Sequence, residues 1–357
     1  MNMTSPIPPR SGGPVKPSRL RGDRVTLAHG GGGKAMRDLI DEVFTDVFQP
    51  PGSEDQARLT ADALQNPGAQ LAFTTDSFVV TPPVFPGGDI CKIAVWGTGN
   101  DLAVGGAQPL WLSAAFIIEE GCEFALLRQI VASMQAEAVK AGVRIVTGDT
   151  KVVDRGAADK VFVTTSGVGV IPAGRHLKAD LIQPGDVAIV NGVLGDHGAT
   201  ILAARGDMAL TTDIQSDCQS LNALIERVLD AAPNTRAARD ATRGGVASCL
   251  NEMAEAAGLS IQIDEASIPL RPEVKGVCEV LGLDPLYLAN EGTLVMFVPE
   301  AEAQPALDAM RATDPGRDAT IIGQAMAGHP GRVTMKTLFG GQRLVDTLVG
   351  EQLPRIC

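Results

Sequence analysis

The sequence has 357 residues, an apolar fraction of 45%, only 4% aromatic residues and a net charge of −12. That length suits one large unit or two domains of ordinary size, with enough apolar residues to bury a core. An acidic, aromatic-poor chain without a basic stripe is a poor nucleic-acid binder, and no stretch is long and apolar enough to cross a membrane.

Residues 1–24 are rich in Pro, Gly and Ser, so a flexible extension is expected there. It holds no apolar run of signal-peptide length. From His29 to Lys34 the chain reads His-Gly-Gly-Gly-Gly-Lys. Successive glycines at Gly31, Gly32 and Gly33 let the backbone approach an anion closely, and Lys34 adds positive charge. This is not a Walker A loop, because positions 28 and 35 are both Ala. A phosphate cradle and a plain joint before a helix both fit. Met36, Leu39, Ile40, Val43, Phe44, Val47 and Phe48 then form one helical stripe, which Pro50, Pro51 and Gly52 end.

Leu71–Val80 reads as a strand stopped by Pro82, Pro83 and Pro86. A helix is expected from Phe124 to Ala141, burying Leu127, Ile130, Val131 and Met134, with strands at 143–147 and 161–170. The polar, turn-rich residues 172–186 read as a linker. Beyond it come a strand at 187–190, helices near 197–206, 218–231 and 245–257, and a strand at 294–298. A hairpin over 332–345 closes near Gly340–Gly341. The pattern is α/β, with an N-terminal domain at 25–171, a C-terminal domain at 187–349 and a mobile tail at 350–357.

The six cysteines contain no CxxC pair, so a structural zinc site is not expected. Cys249 and Cys278 sit among apolar residues and read as small core hydrophobes. This usage suits a reducing cytoplasm. The last four residues are Pro354-Arg355-Ile356-Cys357. A terminal Cys is by default part of a frayed end. Prenylation does not explain it, because that requires three residues after the Cys. Arg355 beside it would favour the thiolate.

Several acids stand in turn-like settings: Asp76 in Thr-Thr-Asp-Ser, Asp101 after Asn100, Asp149 in Gly-Asp-Thr-Lys at a strand end, and Asp240 before Ala-Thr-Arg-Gly-Gly. Each alone is a turn former or a helix cap. Together they suit magnesium, a hard cation that takes carboxylates and phosphate oxygens. Glu291, in Asn-Glu-Gly-Thr before an apolar strand, could brace a turn or act as a base at a site's edge.

Taken together, HGGGGKAM (29–36), TTDSFVV (74–80), FPGGDI (85–90), GTGNDLAVGGAQPLWLS (97–113), FIIEEG (116–121), GDTKVV (148–153), GDHG (195–198), TRGG (242–245), NEGTL (290–294) and the closing PRIC resemble the HypE family of hydrogenase maturation proteins. The resemblance runs from about residue 25 to the end. It implies two α+β domains of the aminoimidazole ribonucleotide synthetase type, with N-terminal sheets pairing in a homodimer. It implies an ATP-dependent carbamoyl dehydratase. HypF would load a carbamoyl group onto Cys357, ATP would drive its dehydration to a thiocyanate, and the cyanide would pass to a HypC–HypD complex for the iron of the [NiFe]-hydrogenase centre. Carried over by position, Asp76, Asp101 and Asp240, with Asp149 as an addition, would hold Mg2+. Gly31, Gly32, Gly33, Lys34, Asn100 and Thr150 would bind ATP, while Lys151 and Glu291 would handle protons. Ala241 stands where the family usually has Pro, which would loosen that turn, and Gly99 stands where many relatives have a larger residue. A selenophosphate synthetase would be expected to carry a Cys beside Lys34, aminoimidazole ribonucleotide synthesis leaves PRIC without a purpose, and a non-catalytic nucleotide switch would not need a loaded Cys357.

Overall fold

The computed structural model describes residues 18–50, 56, 57, 59, 65–206 and 212–347. Cys357 and the expected tail at 350–357 lie outside the described residues, as do residues 1–17. The expected boundary at residue 24 moves. Ser18 Oγ donates to Glu42, Arg24 bonds Glu123 and the Gly121 carbonyl, and Val25 is fully buried.

The glycine run leads into α1 (Lys34–Leu39), a wide π turn over Ile40–Thr45 and α2 (Asp46–Phe48). Leu39, Val43 and Phe44 of the expected stripe are buried. Strand β1 (Gln70–Phe78) follows, then a two-residue ribbon of β2 (Val84–Phe85) and β3 (Gly88–Asp89). Asp89 then caps α3 (Ile90–Val104), its Oδ1 accepting the N–H groups of Cys91 and Lys92 at 2.9 Å each. After α3 come β4 (Gln108–Glu119), α4 (Phe124–Ala141), β5 (Arg144–Val153) and β6 (Val161–Ile171).

These strands form one sheet in the order β1-β6-β4-β5, with β4 and β5 parallel and joined by α4. The pleat sends alternate side chains to opposite faces. On one face, Thr165 and Gly167 meet α3, where Thr165 Oγ1 donates to the Ala94 carbonyl and a Cβ at Gly167 would clash with Thr98. The other face carries the row Ser77, Thr164, Ala115, Asp149 across all four strands. It also leaves Leu71, Phe73 and Ile117 exposed.

Residues 172–186 are packed rather than free-standing: Arg175 grips Glu226 and the Gly106 carbonyl, and Ile182 is buried. The second half runs β7 (Val187–Val190), α5 (Asp196–Arg205), α6 (Asn222–Ala231), β8 (Ala237–Asp240), α7 (Gly245–Ala257), β9 (Ser260–Asp264), α8 (Pro272–Leu281), β10 (Leu294–Val298), α9 (Ala303–Arg311), β11 (Thr320–Met326), β12 (Val333–Lys336) and β13 (Gln342–Leu344). Its seven-stranded sheet has the order β13-β12-β9-β11-β7-β10-β8. Apolar cores lie on both faces, and β10, flanked by β7 and β8, is buried at every residue.

One core spans both halves. Phe85 and Trp96 share it with Ile201, Cys218, Val277 and Leu288. Cys91, Cys122, Cys218, Cys249 and Cys278 are all free and buried, and burial raises the pKa of each thiol. Among the described residues no helix is long and apolar enough to cross a membrane.

Because α3 carries two site residues, its cap matters for function. Asp89→Ala should cost about 1–2 kcal/mol by removing the acceptor for two helix-start donors, whereas Asp89→Asn should cost only a few tenths. Chemical denaturation of the two variants beside the parent checks this, and equal losses would contradict the capping account.

Candidate functional site

Four carboxylates converge where the first sheet, α3 and the edge strand β8 meet. Asp76 lies on the α3 side of β1, in register with Thr165. Its neighbour two residues back, Thr74, donates its hydroxyl to Asp101 Oδ2 at 3.0 Å. Asp240 ends β8, and Glu291 precedes β10 in the adjoining loop. Burial raises the Asp101 carboxyl, and the charge of Asp76 adds to the rise. Burial, reinforced by Asp101, pushes Asp240 up to about 7. Glu291 is raised well above the carboxylate range by burial, then by Asp217, Asp240 and Asp76. The nearest cation is Arg243, whose Nη2 lies 3.5 Å from Asp76 Oδ1. Asp101 and Asp240 also line a cavity of about 410 Å3, walled in part by Phe73, Leu177, Lys178 and Met253.

The Glu291 loop is fixed from three sides. Asp217, buried and pushed up to about 6 by burial, accepts the N–H groups of Glu291 and Gly292 and the Thr293 hydroxyl, each at 3.0 Å. Gly292 sits so close that a Cβ there would lie 2.0 Å from the Asp217 carbonyl oxygen. Asn100 Nδ2 donates to the carbonyls of Gln219 at 3.1 Å and Glu291 at 3.4 Å, while its Oδ1 accepts the Leu221 N–H at 2.9 Å. Asn290 Oδ1 accepts from the Gly195 N–H at the start of α5.

The expected site residues therefore fall into two groups. Asp76, Asp101, Asp240 and Glu291 come together, although Asp101 belongs to a helix rather than a turn. Asp149 and Lys151 do not join them. Both lie inside β5, not at its end, on the opposite edge of the sheet from β1 and on the opposite face from Asp76. Three strand spacings of about 4.8 Å separate the two edges. The glycine run sits at that far edge: a Cβ at Gly30 would lie 2.9 Å from Val152 Cβ, whereas Gly32 and Gly33 face open space. Lys34 is exposed and paired with Asp38.

Two further expected ATP ligands lie apart from each other, Asn100 on α3 and Thr150 on β5. The Asn100 carboxamide is consumed by the clamp, and the Thr150 hydroxyl is buried without a partner. Ala241 does not loosen its turn. Its N–H donates to the Thr293 carbonyl at 2.8 Å, a bond that proline could not make. A Cβ at Gly99 would meet no atom within 4 Å, so larger residues fit there. Sequence reasoning missed Asp217, which no motif marks, and His197, whose Gly-Asp-His-Gly motif was visible without a chemical role.

The chain is similar to known proteins over most of its length. The AIR synthase related protein family matches twice, its N-terminal domain over residues 53–171 and its C-terminal domain over 183–336. A carbamoyl dehydratase HypE from Rhodobacter capsulatus is 73% identical over 338 residues, covering 95% of this chain and 99% of the relative. A crystal structure of the hydrogenase maturation protein HypE in complex with ATP is similar at TM-score 0.87 and 43% identity, covering 93% of this chain and 99% of that one. A HypE–HypF complex contains a chain similar at TM-score 0.76 and 43% identity, over 87% of this chain and 99% of that one.

The raised Asp240 carboxyl has a stability signature. Its folded pKa of about 7 lies well above the ordinary value of a free aspartate, about 3.9. Its contribution is therefore intact at low pH and is lost as pH rises through 7. Asp240→Asn, neutral throughout, should gain stability over the parent by an amount on the order of 1–4 kcal/mol between pH 5 and 8. Denaturation of nucleotide-free protein at both pH values measures the gain, and a pH-independent difference would contradict it.

Proposed function

The chain belongs to the HypE family of carbamoyl dehydratases, so it is an ATP-dependent dehydratase of hydrogenase maturation, and we propose that Cys357 carries the S-carbamoyl group while Glu291 is the base. The observation that carries this reading is the convergence of Asp76, Asp101 and Asp240 beside the buried Glu291, next to a cavity of about 410 Å3. That volume is in the range of small-molecule sites.

A thiocarbamate does not lose water readily, because its oxygen leaves poorly. Transfer of the γ-phosphoryl group of ATP forms an O–P bond at that oxygen and releases ADP. Phosphate then departs as the C–O bond breaks, two N–H protons are lost, and the C≡N bond forms. Glu291 takes one proton from the nitrogen, the other leaves on the departing phosphate, and Lys151 orients the amide. Asp76, Asp101 and Asp240 suit magnesium, because they supply hard oxygens whose mutual repulsion a cation would relieve. Among the described residues no three such side chains form a metal cage by themselves, so phosphate oxygens would complete the shell. A magnesium ion there would offset the charge on the transferring phosphoryl group. Burial first, and then the charges of Asp217, Asp240 and Asp76, raise the Glu291 carboxyl; a cation held by Asp76 and Asp240 would offset the last two and favour the ionised form that a base requires.

The split between the sheet edges supports a homodimer. Lys34, Asp149 and Lys151 on one copy would complete the Asp76–Glu291 group of the other. The exposed Leu71, Phe73 and Ile117 on that sheet face give the pairing an apolar contact. Cys357 is ten residues beyond Thr347, the last described position. Ten extended residues reach about 33–36 Å. The chain at Val345 is held by Asn251, six residues along α7 from Gly245, or about 9 Å of helix. A loaded thiol can therefore reach the site. We assign HypF as carbamoyl donor, consistent with the similar chain in a HypE–HypF complex. The HypC–HypD complex as cyanide acceptor rests on the family resemblance.

Two experiments test these assignments. Carbamoylated protein incubated with Mg-ATP should lose the mass of one water from its C-terminal peptide, and Glu291→Gln should slow that loss about 100-fold or more. An unchanged rate would remove Glu291 from the role of base. Lys151→Ala and Glu291→Gln chains should each be inactive alone. After subunit exchange at equal amounts they should regain roughly a quarter of parental activity, because half the dimers would hold one intact site. No regain would mean that the site is built within one chain.

A further inference from the structure

His197, in the first turn of α5, is a fully buried imidazole beside Glu291. Its ring stands edge-on to Phe85, with centroids 5.6 Å apart, and no side-chain cation accompanies it in the described hydrogen bonds. Burial depresses its pKa to about 3, so the ring is neutral at working pH. A neutral imidazole has one N–H donor and one acceptor nitrogen. The Ser216 Oγ lies 2.9 Å from His197 Nδ1 and already accepts the Cys218 N–H at 3.2 Å. The hydroxyl keeps a proton to donate and a second lone pair, so this contact satisfies either tautomer; with Ser216 donating to Nδ1, the ring proton sits on Nε2. That nitrogen is buried without a partner, and it lies 4.0 Å from Glu291 Oε1. Glu291 Oε2 is likewise buried and unpartnered. Two such groups facing one another are each left unsatisfied, and a movement of roughly 1 Å would join them.

We propose that His197 is a positioning residue for the dehydration: with Ser216 donating to Nδ1, its Nε2–H holds Oε1 of Glu291 and so turns Oε2 toward the substrate nitrogen. This rests on Glu291 being the base. His197 itself exchanges no proton with the substrate. It fixes which carboxylate oxygen is free to accept one, and it excludes rotations of the carboxylate away from the amide. The loop beneath is already immobilised by Asp217 and Asn100, so the side-chain torsion is the freedom that remains to be removed.

The test uses the full chain, carbamoylated on Cys357, in single turnovers with Mg-ATP. His197→Ala should slow water loss roughly 10–100-fold while changing half-saturation by ATP less than about twofold. His197→Gln, which can present an N–H near the Nε2 position, should recover to within about fivefold of the parent, whereas His197→Asn, which mimics Nδ1, should not. In the Glu291→Gln background, His197→Ala should add no further loss, because a positioning residue has nothing left to position. Parental rates in His197→Ala, equal losses in the Gln and Asn variants at matched melting temperature, or additive losses in the double variant would each overturn the proposal. Should His197→Ala fail to fold, the Gln and Asn comparison decides. A fully active Glu291→Gln protein would instead overturn the base assignment, and with it this inference, whereas an inactive one paired with an unaffected His197→Ala would overturn the inference alone.

Discussion

The carboxamide of Asn100 ties the two halves of the molecule together at the candidate site. Its amide group binds two carbonyls of the second half and its oxygen accepts a backbone N–H from the same half. Asp101, the next residue, leaves the helix about 100° around the axis and faces β1 and β8 instead. One turn of α3 therefore sets both the position of the Glu291 loop and the position of a candidate metal ligand. The Asp89 cap, the buried threonines between α3 and the sheet, and the shared core around Phe85 all serve to hold that turn in place.

The same region concentrates negative charge that folding alone would disperse. Asp101, Asp217, Asp240 and Glu291 are all raised by burial, and several raise one another. Asp217 offsets part of its burial by accepting three hydrogen bonds, whereas Glu291 retains an unpartnered oxygen. Such groups persist in stable proteins where ligands complete them.

Amphipathic elements were legible in the sequence. The helix at 124–141 and the strand at 294–298 carry clear stripes or runs, and they form with those bounds. Helix α3 was not legible, because it is buried on nearly every side and so shows no polar face, and Gly97 and Gly99 lower its propensity. Strand β4, with Ala114, Ala115 and Pro109, offers too little alternation. The site was half legible. The Asp and Glu motifs could be found one by one, yet their convergence, and the separation of Asp149 and Lys151 onto another edge, depend on strand order. The order β1-β6-β4-β5 follows from a long-range pairing that no local pattern states. Asp217 escaped because its role is to accept backbone hydrogen bonds, which leaves no signature in neighbouring residues.

The burial of the cysteines has a chemical consequence. Every thiol among the described residues is held protonated inside the fold. The thiolate, not the thiol, is the nucleophile. An electrophile meeting the folded chain finds no competing thiolate at those five positions, so under the proposed loading of Cys357 a reactive carbonyl delivered there would not be scavenged by the described body of the chain. The interior thiols also act as a record of integrity: each one that becomes alkylated marks an excursion in which part of the core opened.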